Sequence, residues 1–271
     1  MNKITTFLVK NLRSKTGAGI VDCKRALIET QGDIEKSIDF LRQIGKIKAL
    51  QKKSAITFNG AIFIGTNNKF SVMLELNCET DFVSKEDCFV SFGKDIINYS
   101  VSLEKYDIVL IQKFFEEQKI DLITRINENI ILRRIKMLSG DNISSYLHNN
   151  RIGVLLKTTE HVDKIFIKNL AMHIAASKPE YLRPDLIPNS VIEREYNIQL
   201  ELAIKSKKSE DIIERIVKGR MIKFANENSL LGQNFIFNLQ RTVGDVIKEK
   251  NIDIIEFSRF EVGELISNVI C

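Results

Sequence analysis

The chain has 271 residues, 44% of them hydrophobic and 28% charged, with a formal net charge of +5. That length supports one to three domains with a sizeable buried core, and the balance of residue types is ordinary for a folded soluble protein. No apolar run approaches the ~18 residues of a membrane span, and Phe7-Leu8-Val9 is too short for a signal-peptide core, so a cytoplasmic location is expected.

Residues 1–54 predict three short helices. Ile4, Leu8 and Leu12 recur at helical spacing, and Gly17 and Gly19 interrupt them. Ile20, Cys23 and Leu27 mark a second helix that ends near Gly32. Asp33 is a good N-cap for a third, which carries Ile34, Ile38 and Leu41 on one face and is expected to close at Gly45. The basic stretch from Lys46 to Lys53 then reads as a linker. Residues 1–54 hold 12 Lys/Arg and 5 Asp/Glu, a surplus of +7 that leaves −2 for the remainder. Such a segment suits an acidic partner, a nucleic acid or a plain solvated helical surface.

The character changes at residue 55. Ala61–Ile64 and Phe70–Leu76 are strand-like around the turn Thr66-Asn67-Asn68-Lys69, which predicts a hairpin. A helix is expected from about Lys85 to Val101, and a second helical stretch from about Val109 to Ile123. The plan then recurs: Ser144–Leu147 as strand, His148-Asn149-Asn150-Arg151 as turn, Ile152–Leu156 as strand, and a helix from about Asp163 to Ala176. Strand, turn, strand, helix twice over predicts two related α+β subdomains. Residues 189–228 read as two charged helices broken by Ser206-Lys207-Lys208-Ser209, an antiparallel hairpin that projects from the body. Residues 235–239 and 254–262 alternate like strands, with a helix near Val243–Lys250 between them. The domain plan is therefore 1–54, 55–140, 141–188 together with 229–271, and the insertion 189–228.

Chemistry-bearing motifs are scarce. The chain has no phosphate-binding G-x-x-x-x-G-K-[ST] or G-x-G-x-x-G loop, no G-x-S-x-G and no H-E-x-x-H, so neither a bound nucleotide nor covalent catalysis is expected. His148, His161 and His173 are widely separated. Cys23, Cys78, Cys88 and Cys271 form no C-x-x-C pair and no zinc spacing, and are expected to be reduced thiols. No cofactor and no metal follow from these residues. Glu79-Thr80-Asp81-Phe82-Val83 stands out, because it joins a strand to a helix. Thr80 or Asp81 fits a helix cap. An aromatic beside an acid at a loop tip also suits insertion into a partner's pocket.

Several collinear motifs carry a resemblance across nearly the whole chain: Leu12-Arg13, Thr16-Gly17-Ala18-Gly19, Asp22-Cys23-Lys24, Ala26-Leu27 and Asn77-Cys78-Glu79-Thr80-Asp81-Phe82-Val83. Glu128-Asn129-Ile130, Arg133-Arg134, Arg151-Ile152-Gly153-Val154, Ala175–Pro179, Gly219-Arg220-Met221 and Arg259–Glu264 extend it. Together they resemble the elongation factor Ts family. The resemblance implies an α+β protein: an N-terminal ubiquitin-associated-like (UBA-like) three-helix bundle, a core of two related α+β subdomains, and an inserted helical hairpin that serves dimerisation in some members. It implies a non-enzymatic guanine-nucleotide exchange factor of protein biosynthesis that binds elongation factor Tu and expels its GDP. By position, Arg13, Thr16, Gly17, Ala18, Gly19, Asp22 and Lys24 match the N-terminal partner contact. Thr80 and Val83 flank Asp81 and Phe82, which match the pair that intrudes near the partner's magnesium and phosphate site. Ile126 and Asn127 match a second contact loop where the family commonly has Ile-Gly; Asn tolerates left-handed backbone, so the turn is expected to survive. His148 matches a histidine of the second subdomain hairpin. A further C-terminal helix found in some members is expected to be short or absent here. A homodimer through the hairpin is compatible with this plan, and neither membrane nor direct nucleic-acid binding is expected. The competing reading is a basic ribosome- or RNA-associated protein without exchange activity, suggested by the +7 segment; Asp22, Glu29, Asp33 and Asp39 interleave its cations.

Overall fold

A computed structural model describes residues 4–67, 69–103, 107–159, 163–206 and 208–265. His161, Asn68, Lys207 and Cys271, each part of an expectation above, lie outside the described residues, as does the segment after residue 265. Among the described residues, no helix is long and apolar enough to cross a membrane.

Three helices open the chain: α1 Thr6–Thr16, α2 Ile20–Glu29 and α3 Ile34–Lys52. Thr5 and Asp33 cap α1 and α3 through their side chains, and Gly17 ends α1 in the left-handed region at φ 69°. Leu12, Cys23, Ala26, Leu27 and Leu41 form the small core of this bundle.

Gly45 does not end α3, and 46–53 is not a linker; the helix runs on to Lys52. The glycine serves packing instead. A Cβ at position 45 would stand 2.3 Å from Thr124 Oγ1, so α3 crosses the next helix layer at the one position without a side chain.

The body is α+β. β1 Asn59–Thr66, β2 Phe70–Cys78 and β3 Ile131–Ser139 form one antiparallel sheet in the order β1-β2-β3. Between β2 and β3 lie α4 Asp87–Ser102, α5 Ile108–Phe114 and α6 Glu116–Ile126. The expected single stretch 109–123 is thus two helices, broken at Phe115, where Tyr99, Phe114 and Phe115 stack and cross edge to face. The second sheet, β4 Ile143–His148, β5 Ile152–Thr158 and β8 Ile254–Glu261, has the order β4-β5-β8. It is backed by α7 Lys164–Ser177. In both sheets a hairpin is followed by a helix and then by a third strand that pairs antiparallel with the second. The duplication therefore includes a strand that the sequence reading lacked in its first copy, β3.

Alternation along β2 sets the layering. Val72, Leu74, Leu76 and Cys78 pack against Phe89, Phe92 and Ile96 of α4, while Met73 meets Ile62, Leu155 and Phe260 between the two sheets. On β5, Val154 and Leu156 face α7 and Leu155 faces the first sheet. The result is helices, sheet, sheet, helices. The sheets approach closely at Gly153, where a Cβ would lie 2.6 Å from both Ile62 Cγ2 and Met73 Sδ.

A buried ionic cluster joins the sheets. Glu75 is fully buried and accepts from Arg133 at 2.9 Å, Arg134 at 2.6 Å and the Gly263 amide at 2.9 Å. The register shifts between Glu75 and Leu76, so Arg133 is the extra residue of a bulge. The bulge re-aims the strand and lets two consecutive arginines reach one carboxylate. Arg134 also pairs with Glu264 at 2.6 Å and lies 4.0 Å over the Phe260 ring.

The insertion is α8 Asn189–Ile204 and α9 Glu210–Asn228. Among their described residues only Ala203 and Val217 are buried, and even the large apolar side chains of Tyr196 and Ile204 are exposed. After it, β6 Asn234–Phe235 and β7 Asn238–Thr242 form a tight hairpin, so 235–239 is two strands rather than one. α10 Val243–Glu249 follows behind a Thr242–Asp245 capping box.

Candidate partner-docking surface

The loop after β2 is held from several sides. The Glu79 carboxylate accepts the Asn129 amide at 2.7 Å and pairs with Lys52 at the end of α3 at 3.3 Å, while its carbonyl accepts Asn59 Nδ2 at 2.8 Å. Thr80 donates its amide at 3.0 Å and its hydroxyl at 2.7 Å to the two oxygens of Glu128. The Cys78 thiol donates to the Thr80 carbonyl at 3.1 Å. Burial, reinforced by the Glu128 charge, pushes that thiol up to about 12, so it is protonated at neutral pH.

Two residues escape this scaffold. Val83 is buried, but Phe82 is 78% exposed and Asp81 is exposed beside it. Asp81 pairs with Lys85 at 3.0 Å; that hydrogen bond, with the Lys85 charge and a weaker contribution from Arg151, holds its carboxyl below the usual carboxylate range. Neither Thr80 nor Asp81 caps α4, which starts at Asp87 behind a 3-10 turn, Val83–Lys85. Thr80 Oγ1 instead accepts the Val83 amide at 3.4 Å.

The second loop leaves α6. Ile126 packs half-buried against the first core, and Asn127 is exposed in the left-handed region at φ 63°, its amide donating to the Ile123 carbonyl at 2.7 Å. The turn expected of Asn127 in place of glycine therefore forms. Its neighbours Glu128 and Asn129 supply the bonds to the first loop, and buried Asn129 also reaches the Ala55 carbonyl at 3.0 Å.

The bundle meets this region at Gly17. A Cβ there would sit 2.5 Å from Arg125 Nε, one residue before Ile126. Arg13, Gly19 and Lys24 are exposed; Ala18 is buried, and Thr16 Oγ1 is used inside the bundle, donating to the Leu12 carbonyl at 2.8 Å. Asp22 pairs with Lys48 of α3 at 2.7 Å. His148 is exposed at the end of β4, hydrogen-bonded through Nδ1 to Tyr146 Oη at 3.1 Å. Asn149 and Asn150 behind it both have positive φ, 50° and 56°, the backbone of a type I′ hairpin turn.

Residues separated by a hundred positions thus converge. The 16–19 loop abuts Arg125, the 126–129 loop is bonded to 79–80, and the charge of Arg151 reaches Asp81. Glu79, Glu128, Lys52 and Arg151 belong to this arrangement without being singled out as site residues by the sequence. Glu79, Glu128 and Arg151 did stand in the quoted motifs, but their partners are set by tertiary packing. Among the described residues no cluster of three or more His, Cys, Asp or Glu could hold a metal. His173 is buried against Gln233 at 3.0 Å, and burial pulls its pKa below the usual value, away from the surface just described.

The family model described as Elongation factor TS matches residues 79–264. The chain is 54% identical over 264 residues to the elongation factor Ts of Buchnera aphidicola subsp. Baizongia pistaciae, covering 97% of this chain and 99% of that one. It is 48% identical over 271 residues to the elongation factor Ts of Yersinia pestis (strain Pestoides F), covering 99% and 95%, and equally to that of Yersinia pseudotuberculosis serotype O:1b.

Proposed function

This chain belongs to the elongation factor Ts family, and from that premise we propose that it docks on a GTPase of elongation factor Tu type and accelerates the loss of its GDP. No bond has to be made or broken by this chain. A nucleotide held at nanomolar strength is worth roughly 12 kcal/mol, and its release is speeded by a protein that prefers the emptied GTPase to the loaded one. By linkage, GDP weakens that docking by the same factor as docking weakens GDP.

The observation that carries the reading is Phe82: an aromatic ring 78% exposed on a loop whose backbone is held before it by Glu128 at Thr80 and after it by Thr80 Oγ1 at Val83. An aromatic ring held out on a rigid loop is the kind of residue that anchors an interface by filling a partner's pocket. In this reading Phe82 wedges into the partner, Asp81 brings negative charge toward its magnesium and phosphate region, and Asn127, His148 and the 13–24 segment complete the footprint.

Release of a fluorescent GDP analogue from the cognate GTPase tests it. Phe82→Ala removes an anchor of about 2 kcal/mol, so the acceleration is expected to fall roughly thirtyfold. Undiminished acceleration by a variant with an unaltered melting curve would rule out the wedge.

A further inference from the structure

We infer that Glu79 and Glu128 form a reciprocal carboxylate latch that holds Phe82 and Asn127 as one rigid unit, making both acids positioning residues for nucleotide release. The inference rests on the docking reading above and deepens it. Each carboxylate reaches across to the backbone of the other's loop: Glu128 takes the Thr80 amide and hydroxyl at 3.0 and 2.7 Å, and Glu79 takes the Asn129 amide at 2.7 Å. The exposed residues sit beside these bonds, Phe82 two positions after Thr80 and Asn127 one position before Glu128.

Three features separate this from ordinary loop packing. The bonds are charge-assisted, the stronger class of hydrogen bond. They join two loops at the tips of different elements, β2 and α6, rather than completing a sheet or a helix. Glu79 also holds Lys52 at 3.3 Å, so the last turn of α3, the long helix of the leading bundle, is tied into the same pair. A loop without such bonds would have to be ordered when it meets its partner, and that ordering is subtracted from the free energy left for displacing the nucleotide. The latch meets that cost during folding.

The test uses the full chain in four forms: wild type, Phe82→Ala, Glu128→Ala and the double variant. Maximal GDP release is measured at saturating concentrations, together with amide hydrogen exchange over residues 81–84 in the free chain. Glu128→Ala is expected to lower the maximal rate roughly tenfold, the scale of one charge-assisted hydrogen bond, and to raise exchange over 81–84. The double variant should lose clearly less than the product of the two single fold-losses, because Glu128 acts largely through the ring. Glu128→Gln, which keeps an acceptor for one donor only, should fall between. If Glu128→Ala compromises folding, Glu128→Gln carries the test in its place, alone and combined with Phe82→Ala, with a smaller loss of the same kind. Losses that add in the double variant, or unchanged exchange over 81–84, overturn the latch while leaving the docking reading intact. Full activity of Phe82→Ala overturns both, and is visible before the acids are compared.

Discussion

Glu75 is the residue on which the union of the two sheets turns. Its carboxylate is cut off from water, and Arg133, Arg134 and the Gly263 amide converge on it from β3 and from the end of β8. Removing one member of a buried ionic set strands the others, at a cost of about 3–5 kcal/mol. Glu75→Ala should therefore lower the unfolding free energy by that amount, read as a lower urea midpoint with little change in slope, although position 75 lies in no docking loop. Arg133-Arg134 and Arg259–Glu264 were visible in the sequence as motifs. Their role was not, because it depends on a bulge that aims two successive side chains at one acid, and no periodicity shows a bulge. The loop tip at Phe82 was legible for the opposite reason: an acid and an aromatic between a strand and a helix are a local pattern.

At the scale of elements, the periodic helices and the two hairpins were readable, and the errors have one cause. Gly45 reads as a stop on local propensity, since glycine inside a helix costs about 1 kcal/mol. Packing outweighs that cost, because α3 and α6 touch where the glycine leaves room beside Thr124. Gly45→Ala should cost about 1 kcal/mol: the helix gains, but the new Cβ forces Thr124 Oγ1 off its hydrogen bond to the Ile120 carbonyl. Gly45→Val is bulkier still and is expected to lose more, about 1–3 kcal/mol by overpacking. Thermal unfolding followed by far-UV circular dichroism checks the pair. β3 escaped notice for a related reason: its alternation is interrupted by the two arginines, and its hydrophobic face is recognisable only once β2 lies beside it.

The molecule as a whole is a four-layer body with a slender attachment. α8 and α9 bury only Ala203 and Val217 among their described residues, whereas every residue of β2 from Ser71 to Cys78 is buried. Local stability follows burial. Amide hydrogen exchange should thus be fast across 189–228 and slowest along β2, with the hairpin opening at denaturant concentrations that leave the sheets intact; uniform protection would contradict this. The projecting hairpin was legible from charge and spacing, but face-to-face packing of the sheets was not, since Gly153 shows its purpose only against Ile62 and Met73. The second sheet also has an awkward order of birth. Val154 of β5 pairs with Arg259 of β8, and the first sheet has all its strands by Ser139. A chain growing from its N-terminus can finish one half early. The other half must wait with an open flank until residues 254–263 emerge, when the Gly263 amide closes over Glu75.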